Sequence, residues 1–369
     1  MNSRCIVAAC VALVASAPAQ DLFVRGSRLV LAPDVVLQDE GLLIRDGKIA
    51  YVGKEIPEEA RRGAKVSDLQ GKWIVPAFVI AHGQLGQTQD LGERIDAITP
   101  DLLAGEAFDP FEPTVARMAK GGVAWFGFAP NSGNAIGGLA AVVRTGKPGA
   151  IAVESTYLKL ALTAEALDPG RQPTSLLGAA DLLRTRFTAA RGQGGIRELR
   201  DVLSGARKLV VHVRTHAEIT TCCELAEAFA LQPVLVDADE AEKSLARLAA
   251  LKSSIVLAPL APESPIKMLR LPALLEAKRI GFSFRADRPE KLRLSAALAL
   301  RNGASRVAVL SALTRVPAEQ CGAPATAGQL RAGGSADFLV FSGDPLDLTS
   351  KLEATWLAGK AFGSEAHPQ

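Results

Sequence analysis

Four histidines stand in this chain of 369 residues, and two of them close apolar runs, a setting in which an imidazole can be held for acid–base work or as a ligand. His82 ends Val79-Ile80-Ala81-His82, and Gln84 follows two places on. Alternate residues of an extended strand face the same side, so His82 and Gln84 would share a face. His212 ends Leu209-Val210-Val211-His212. Arg214, Arg285 and Arg288 fall close to the ends of apolar runs, where guanidinium forks can grip an anionic ligand. The alternative for these arginines is an ion pair with Asp237, Asp239 or Glu240, and for His82 and His212 a hydrogen bond to a neighbour such as Gln84. His216, in Arg214-Thr215-His216-Ala217-Glu218, reads as a loop or helix-start residue, and His367 lies in a polar tail.

The elements that must position these residues follow from periodicity. From Asp21 to Leu69 the pattern is short and β-rich, with a hairpin expected at Asp46-Gly47 between Gly41–Arg45 and Lys48–Gly53. A similar pattern returns at Ala336–Phe341 and Ala354–Lys360, so a small β-sandwich domain built from both chain ends is expected, over residues 20–72 and 325–364. Between them, apolar strands alternate with helical stretches, the pattern of parallel βα units. Strands are expected at Trp73–Ala81, Gly122–Ala129, Leu139–Val143, Ala150–Val153, Leu209–Val213, Pro233–Val236, Ile255–Ala258 and Gly281–Ala286. Helices are expected at Ser175–Ala190, Ile196–Leu203, Glu218–Ala230, Ala238–Leu251 and Ser264–Lys278. Eight such units close an α/β barrel of the TIM (β/α)8 type over residues 73–324, with its chemistry at the C-terminal strand ends.

Composition narrows the classes further. The chain is 48% hydrophobic and 22% charged with a formal net charge of +3, and no basic run is longer than a pair such as Arg61-Arg62, so nothing points to nucleic acid. Residues 1–19 read as an export signal: Met-Asn-Ser-Arg, the apolar stretch Cys5–Ala15, and the small residues Ala17 and Ala19 ahead of Gln20. The stretch is too short to span a membrane. Val7-Ala8-Ala9-Cys10 looks like a lipoprotein processing site, but a cut there leaves too little apolar chain before it. Cys222, Cys223 and Cys321 remain after cleavage, an odd number with no zinc-knuckle spacing, and are expected as buried thiols.

Gly71-Lys72-Trp73-Ile74-Val75-Pro76-Ala77-Phe78-Val79-Ile80-Ala81-His82-Gly83-Gln84 resembles the first barrel strand of the amidohydrolase superfamily, which ends in Asp, any residue, then His-x-His. Here Ile80 stands for the Asp, and Gln84 for the second His. Gly328–Val340 resembles the strand where that family's chain re-enters its β-sandwich, and Leu310–Ala318 resembles the helix and Thr-x-x-Pro-Ala turn after its last barrel strand. Asn131-Ser132-Gly133-Asn134-Ala135-Ile136-Gly137-Gly138 is similar to a loop in the imidazolonepropionase-like branch.

The resemblance implies a metal-dependent hydrolase of amide, including cyclic amide, C–N bonds in a small molecule, with a damaged metal site. It places His212 at the family's third histidine and leaves the fourth without one, unless Asp237 substitutes. It places Asp287 at the catalytic aspartate, which binds metal and takes a proton from the attacking water. His82, His212 and Asp287 would then be three ligands of one zinc or other divalent ion with an open position for water. Arg214 and Arg285 are the expected substrate-binding residues. Some amidohydrolases bridge two metals with a carboxylated lysine on the fourth strand, near Glu154 and Lys159, but half the cage is absent here. The other readings are a metal-free binding protein that keeps the pocket, or a subunit that forms a homo-oligomer or assembles with an active paralogue.

Overall fold

The computed structural model describes residues 21–53, 56–88, 90–192 and 194–363, so the export signal and His367 lie outside the described residues. Among the described residues the strands are β1 (Leu22–Ala32), β2 (Val35–Arg45), β3 (Lys48–Gly53), β4 (Lys65–Pro76), β5 (Phe78–Gly83), β6 (Val123–Phe128), β7 (Ile136–Leu139), β8 (Ala141–Arg144), β9 (Ala150–Val153), β10 (Tyr157–Ala161), β11 (Lys208–Val213), β12 (Val234–Asp237), β13 (Ser254–Leu257), β14 (Phe282–Phe284), β15 (Phe338–Phe341), β16 (Leu352–Leu357) and β17 (Lys360–Ala361). They form three sheets, of seven strands in the order β17-β16-β15-β4-β1-β2-β3, six in the order β14-β13-β12-β11-β10-β7, and four in the order β5-β6-β8-β9.

The seven-stranded sheet joins the two chain ends, with β15 antiparallel to β4. Its β2–β3 hairpin turns at Asp46 and Gly47, whose φ values of 48° and 73° are both positive, as a primed turn requires. Its inner face packs Val24, Leu29, Leu42, Ile44, Ile74, Phe338 and Val340 into a small core of their own. Asp337, at the start of β15, ties this sheet to the rest. It accepts from Trp125 Nε1 at 3.1 Å and from the Ala358 amide at 2.8 Å, and it pairs with Arg144.

The other two sheets hold the larger core, and their parallel parts read as near-continuous apolar runs because both faces are covered. Strands β10 to β14 are parallel to one another, and β5 is parallel to β6. Between these two runs the eight-unit expectation needs correction. Leu139–Val143 is not one strand: it divides at Ala140 into β7, antiparallel to β10, and β8, antiparallel to β6. Ala150–Val153 is a strand, but an exposed one paired antiparallel to β8. The parallel strand that follows is Tyr157–Ala161, hidden in the sequence by a lysine at its centre and buried along its whole length.

Helices cover the parallel strands at Leu176–Arg191, Arg197–Leu203, His216–Phe229 and Ile266–Ala277, each within a few residues of an expected helix, and at Pro289–Arg301, where none was expected. Ala238–Leu251 departs from expectation: it is a 3-10 turn at Ala241–Lys243 followed by a short helix at Leu245–Ala250. The break follows Asp237 and Ala238, whose φ values of 67° and 44° are both left-handed, a conformation that cannot begin a right-handed helix. Cys222, Cys223 and Cys321 are free and buried, and burial raises all three thiols.

Candidate functional site

The C-terminal ends of β5, β11 and β12, with side chains from β10 and from beyond β14, converge on a cavity of about 250 Å³. It is lined by His82, Gln84, Ser132, Lys159, His212 and Asp237, with Glu165, Arg214 and Arg285 at its rim. A larger cleft of about 750 Å³ opens at the opposite, N-terminal strand ends. The smaller cavity is the candidate site because the ionisable side chains gather there, at the end of parallel strands where α/β proteins place their chemistry.

His212 is the centre of the arrangement. Its Nε2 lies 2.9 Å from Asp237 Oδ2 and its Nδ1 lies 2.6 Å from Ser132 Oγ. Asp237, only 4% exposed, takes a second partner in Arg285, whose Nε donates to Oδ1 at 2.6 Å and whose Nη2 reaches Oδ2 at 3.2 Å. Burial opposes ionisation of Asp237, but the His212 hydrogen bond and the Arg285 charge outweigh it and hold the carboxyl well below the usual carboxylate range. An ionised carboxylate only accepts, so His212 carries its hydrogen on Nε2, and Nδ1 is left as an acceptor facing the serine hydroxyl. The left-handed backbone at Asp237 is an outlier of the kind that clusters at functional sites.

Lys159 enters from β10, only 1% exposed, and its Nζ donates to Pro130 O at 2.7 Å and Ser132 Oγ at 2.9 Å. Burial pulls its pKa down to about 7, against the attraction of the Glu165 and Asp237 carboxylates. His82 Nδ1 lies 2.9 Å from the hydroxyl of buried Tyr157. Burial above all, then the charge of Lys159, holds the His82 imidazole well below its ordinary range.

The structure brings His82, His212, Arg214 and Arg285 to one cavity. Arg214 is mostly exposed and pairs with Asp239 at 3.1 Å, which leaves it at the rim. Asp287 does not line the cavity. Its side chain is 65% exposed and pairs with Lys291 at 2.7 Å, because β14 ends at Phe284 and the chain has already turned toward the helix at Pro289. The carboxylate that meets His212 is Asp237. His216 is the first residue of its helix, with its amide donating to Glu240. Ser132, Tyr157 and Glu165 were not singled out by the sequence reading; the only signal for Ser132 was its place in the Asn131–Gly138 loop.

The residues do not fit a divalent ion of the kind superfamily members usually use. Both nitrogens of His212 already bond protein groups and so does Nδ1 of His82, which leaves Nε2 of His82 as the one imidazole nitrogen of the pair still open, against the three protein ligands a catalytic metal site takes. Both oxygens of Asp237 are bonded by Arg285 and His212, and a guanidinium and the Lys159 amine occupy the electrostatic place of a metal cation. Among the described residues no group of three or more His, Cys, Asp or Glu side chains is arranged to hold a metal ion.

Comparison with known proteins agrees with this architecture. A family model described as "Amidohydrolase family" matches residues 289–362. Imidazolonepropionase of Rhizobium meliloti is 25% identical over 404 residues, covering 94% of this chain and 97% of that one. Adenine deaminase of Lactobacillus delbrueckii subsp. bulgaricus is 39% identical over 62 residues, 17% of this chain and only 11% of that protein. Among solved structures, an amidohydrolase from Thermotoga maritima superposes with a TM-score of 0.80 at 24% identity, over 92% of this chain and 99% of that one. A guanine deaminase from C. acetobutylicum superposes with a TM-score of 0.55 at 13% identity, over 93% and 100%. Fold and comparisons together define an α/β scaffold with an accessory β-sheet, similar over nearly its whole length to members of the amidohydrolase superfamily.

Proposed function

We propose that this protein is a hydrolase of a non-peptide C–N bond, an open or cyclic amide, in a small molecule, and that its own side chains rather than a bound metal ion supply the chemistry. The observation that supports this most directly is the His212–Asp237 pair inside the cavity, an imidazole held in one tautomer by a buried carboxylate. Such an imidazole presents its other nitrogen to accept and return a proton. Lys159 and Arg285 beside it favour a substrate whose carbonyl gains negative charge as it reacts. The names of the two curated relatives, an imidazolonepropionase and an adenine deaminase, agree with C–N chemistry. The same reading takes the parallel strands as walls of a (β/α)8-type barrel and the sheet that joins both chain ends, β4 through Pro76 included, as a composite β-domain, a fold supported by the TM-score of 0.80.

The test uses protein dialysed against chelator and presented with lactams, hydantoins and N-acyl amino acids. Turnover of at least one class is expected to survive chelation and to fall by roughly 100-fold or more in His212→Gln, the size of a general-base contribution. A second reading, a binding protein or partner subunit without chemistry, is favoured by the saturated donor set of His212. Saturable calorimetric binding with no turnover of any compound would establish it instead.

Export is part of the same reading, supported by the apolar stretch Cys5–Ala15 followed by Ala17 and Ala19. Terminal sequencing of protein recovered outside the cytoplasm is expected to begin at Gln20; an intact Met1 there would count against it.

A further inference from the structure

We propose that Ser132 is a nucleophile, and that Ser132, His212 and Asp237 form a triad replacing the metal-activated water of this superfamily; this rests on the hydrolase reading above. Three distances carry it: 2.6 Å from Ser132 Oγ to His212 Nδ1, 2.9 Å from His212 Nε2 to Asp237 Oδ2, and 2.9 Å from Lys159 Nζ to Ser132 Oγ. The hydrogen-bond directions are mutually consistent. Lys159 donates to the serine oxygen, and the serine spends its one hydrogen on Nδ1. The imidazole spends its own on the carboxylate, which can only accept. Such a triad is recognised by geometry and roles, not by chain order, and here Nδ1 rather than Nε2 faces the serine.

The loop around Ser132 is built to hold it in place. Asn131 Oδ1 accepts from the Gly133 amide at 3.0 Å, and Asn131 Nδ2 donates to Asp90 at 2.7 Å. Arg171 donates to Gly133 O at 2.6 Å and Asn134 Oδ1 at 2.8 Å, and Asn134 donates to Thr99 at 3.1 Å. Ser132 itself is half-buried and lines the cavity, so a substrate can reach it. Fixing a nucleophile on a rigid loop lowers the entropic part of the barrier.

The step balances without a further reactant. Ser132 Oγ attacks the amide carbon while its proton passes to His212 Nδ1, and the carbonyl becomes an oxyanion beside Lys159. Collapse of the oxyanion breaks the C–N bond, the departing nitrogen takes the proton from His212, and an ester on Ser132 remains. Water then attacks the ester, gives a proton to His212, and releases the acid as that proton returns to the serine oxygen. Asp237, held in its ion pair with Arg285, stabilises the imidazolium formed in both halves.

The experiment is covalent labelling of chelator-treated, full-length mature protein with an alkyl fluorophosphonate, followed by peptide mass spectrometry. One adduct is expected, on Ser132, absent from Ser132→Ala and from urea-unfolded protein. Its rate is expected to fall by roughly 100-fold in His212→Gln and in Asp237→Asn. Ser132→Ala removes only a hydroxyl facing the cavity, so it keeps the test valid if either of the other variants fails to fold. No adduct at Ser132, with amide hydrolysis persisting in Ser132→Ala, overturns the triad and leaves the hydrolase reading standing. Ser132 labelled at a rate dependent on His212, in protein that hydrolyses none of the amides, supports the triad and removes the amide-hydrolase reading.

Discussion

Asp237→Asn is expected to destabilise the protein by about 2 to 4 kcal/mol and to change which nitrogen of His212 carries its hydrogen. Breaking a buried ion pair by removing one partner costs about 3 to 5 kcal/mol when both charges are sealed from water. Asp237 is sealed, but the Arg285 side chain is 43% exposed and recovers part of its hydration, which lowers the figure. Asparagine suits the comparison because it tolerates the left-handed backbone at φ 67° that most residues resist. Its amide has one oxygen for two donors, so the NH2 group faces either Arg285 or His212. The energetically accessible answer is for His212 to move its hydrogen from Nε2 to Nδ1, which removes the acceptor from Ser132. Urea unfolding measures the stability and the nitrogen shifts of labelled histidine report the tautomer. Unchanged values in both would mean that the pair is ornamental. The sign with pH is defined as well. The Asp237 carboxyl is depressed in the folded state, so its contribution is present above the unfolded value near 3.9 and is lost as pH falls through the folded one. The wild-type acid limb is therefore expected to be steeper than that of the variant.

What could be read from sequence depended on how local its cause is. The Asp46-Gly47 hairpin was legible because the turn geometry is demanded by two adjacent residues. His82, His212 and Arg285 were legible as residues at strand ends because alternation fixes which side a strand residue faces. The central region was not, because Tyr157-Leu158-Lys159-Leu160-Ala161 places a charge inside an apolar strand. Only long-range packing shows that this amine is buried against the Pro130 carbonyl and the Ser132 hydroxyl. Asp287 stood at the family's aspartate by alignment of motif. β14, however, is three residues long and ends before it, so the side chain that reaches the cavity from that segment is Arg285. Asp237 had the right chemistry but an uninformative context, since the strained turn that aims it is specified by the strand's surroundings and not by a glycine. The pairing of Ser132 with His212 joins residues 80 apart, and nothing in the local pattern of either indicates the other.

Lys159→Met is expected to remove a stability gradient that the wild type shows on the alkaline side of neutrality. The Lys159 amine has an ordinary value of 10.5 and is pulled by burial to about 7 in the folded protein. Between those two values the unfolded chain binds more protons than the folded one, so stability rises with pH across the window, by up to about 1.4 kcal/mol per unit. From pH 7 to 9 the gain is about 2 kcal/mol for this one group. Below pH 7 the amine is charged in both states, the gradient vanishes, and the full cost of holding a charged amine without water remains. Methionine keeps an unbranched chain of similar length and carries no proton in either state. Its cost is the donor lost to Pro130 O and Ser132 Oγ, about 1 to 3 kcal/mol if the carbonyl is left unpaired. The variant is therefore expected to be the more stable protein at pH 6 and to lose ground steadily toward pH 9. Urea unfolding of both proteins at pH 6, 7.5 and 9 gives the difference curve, from which the titrating groups that do not feel the Lys159 charge cancel; His82, which does, is held low chiefly by its own burial. Parallel curves would mean that Lys159 titrates as an ordinary solvated amine, and that the cavity holds water enough to hydrate it.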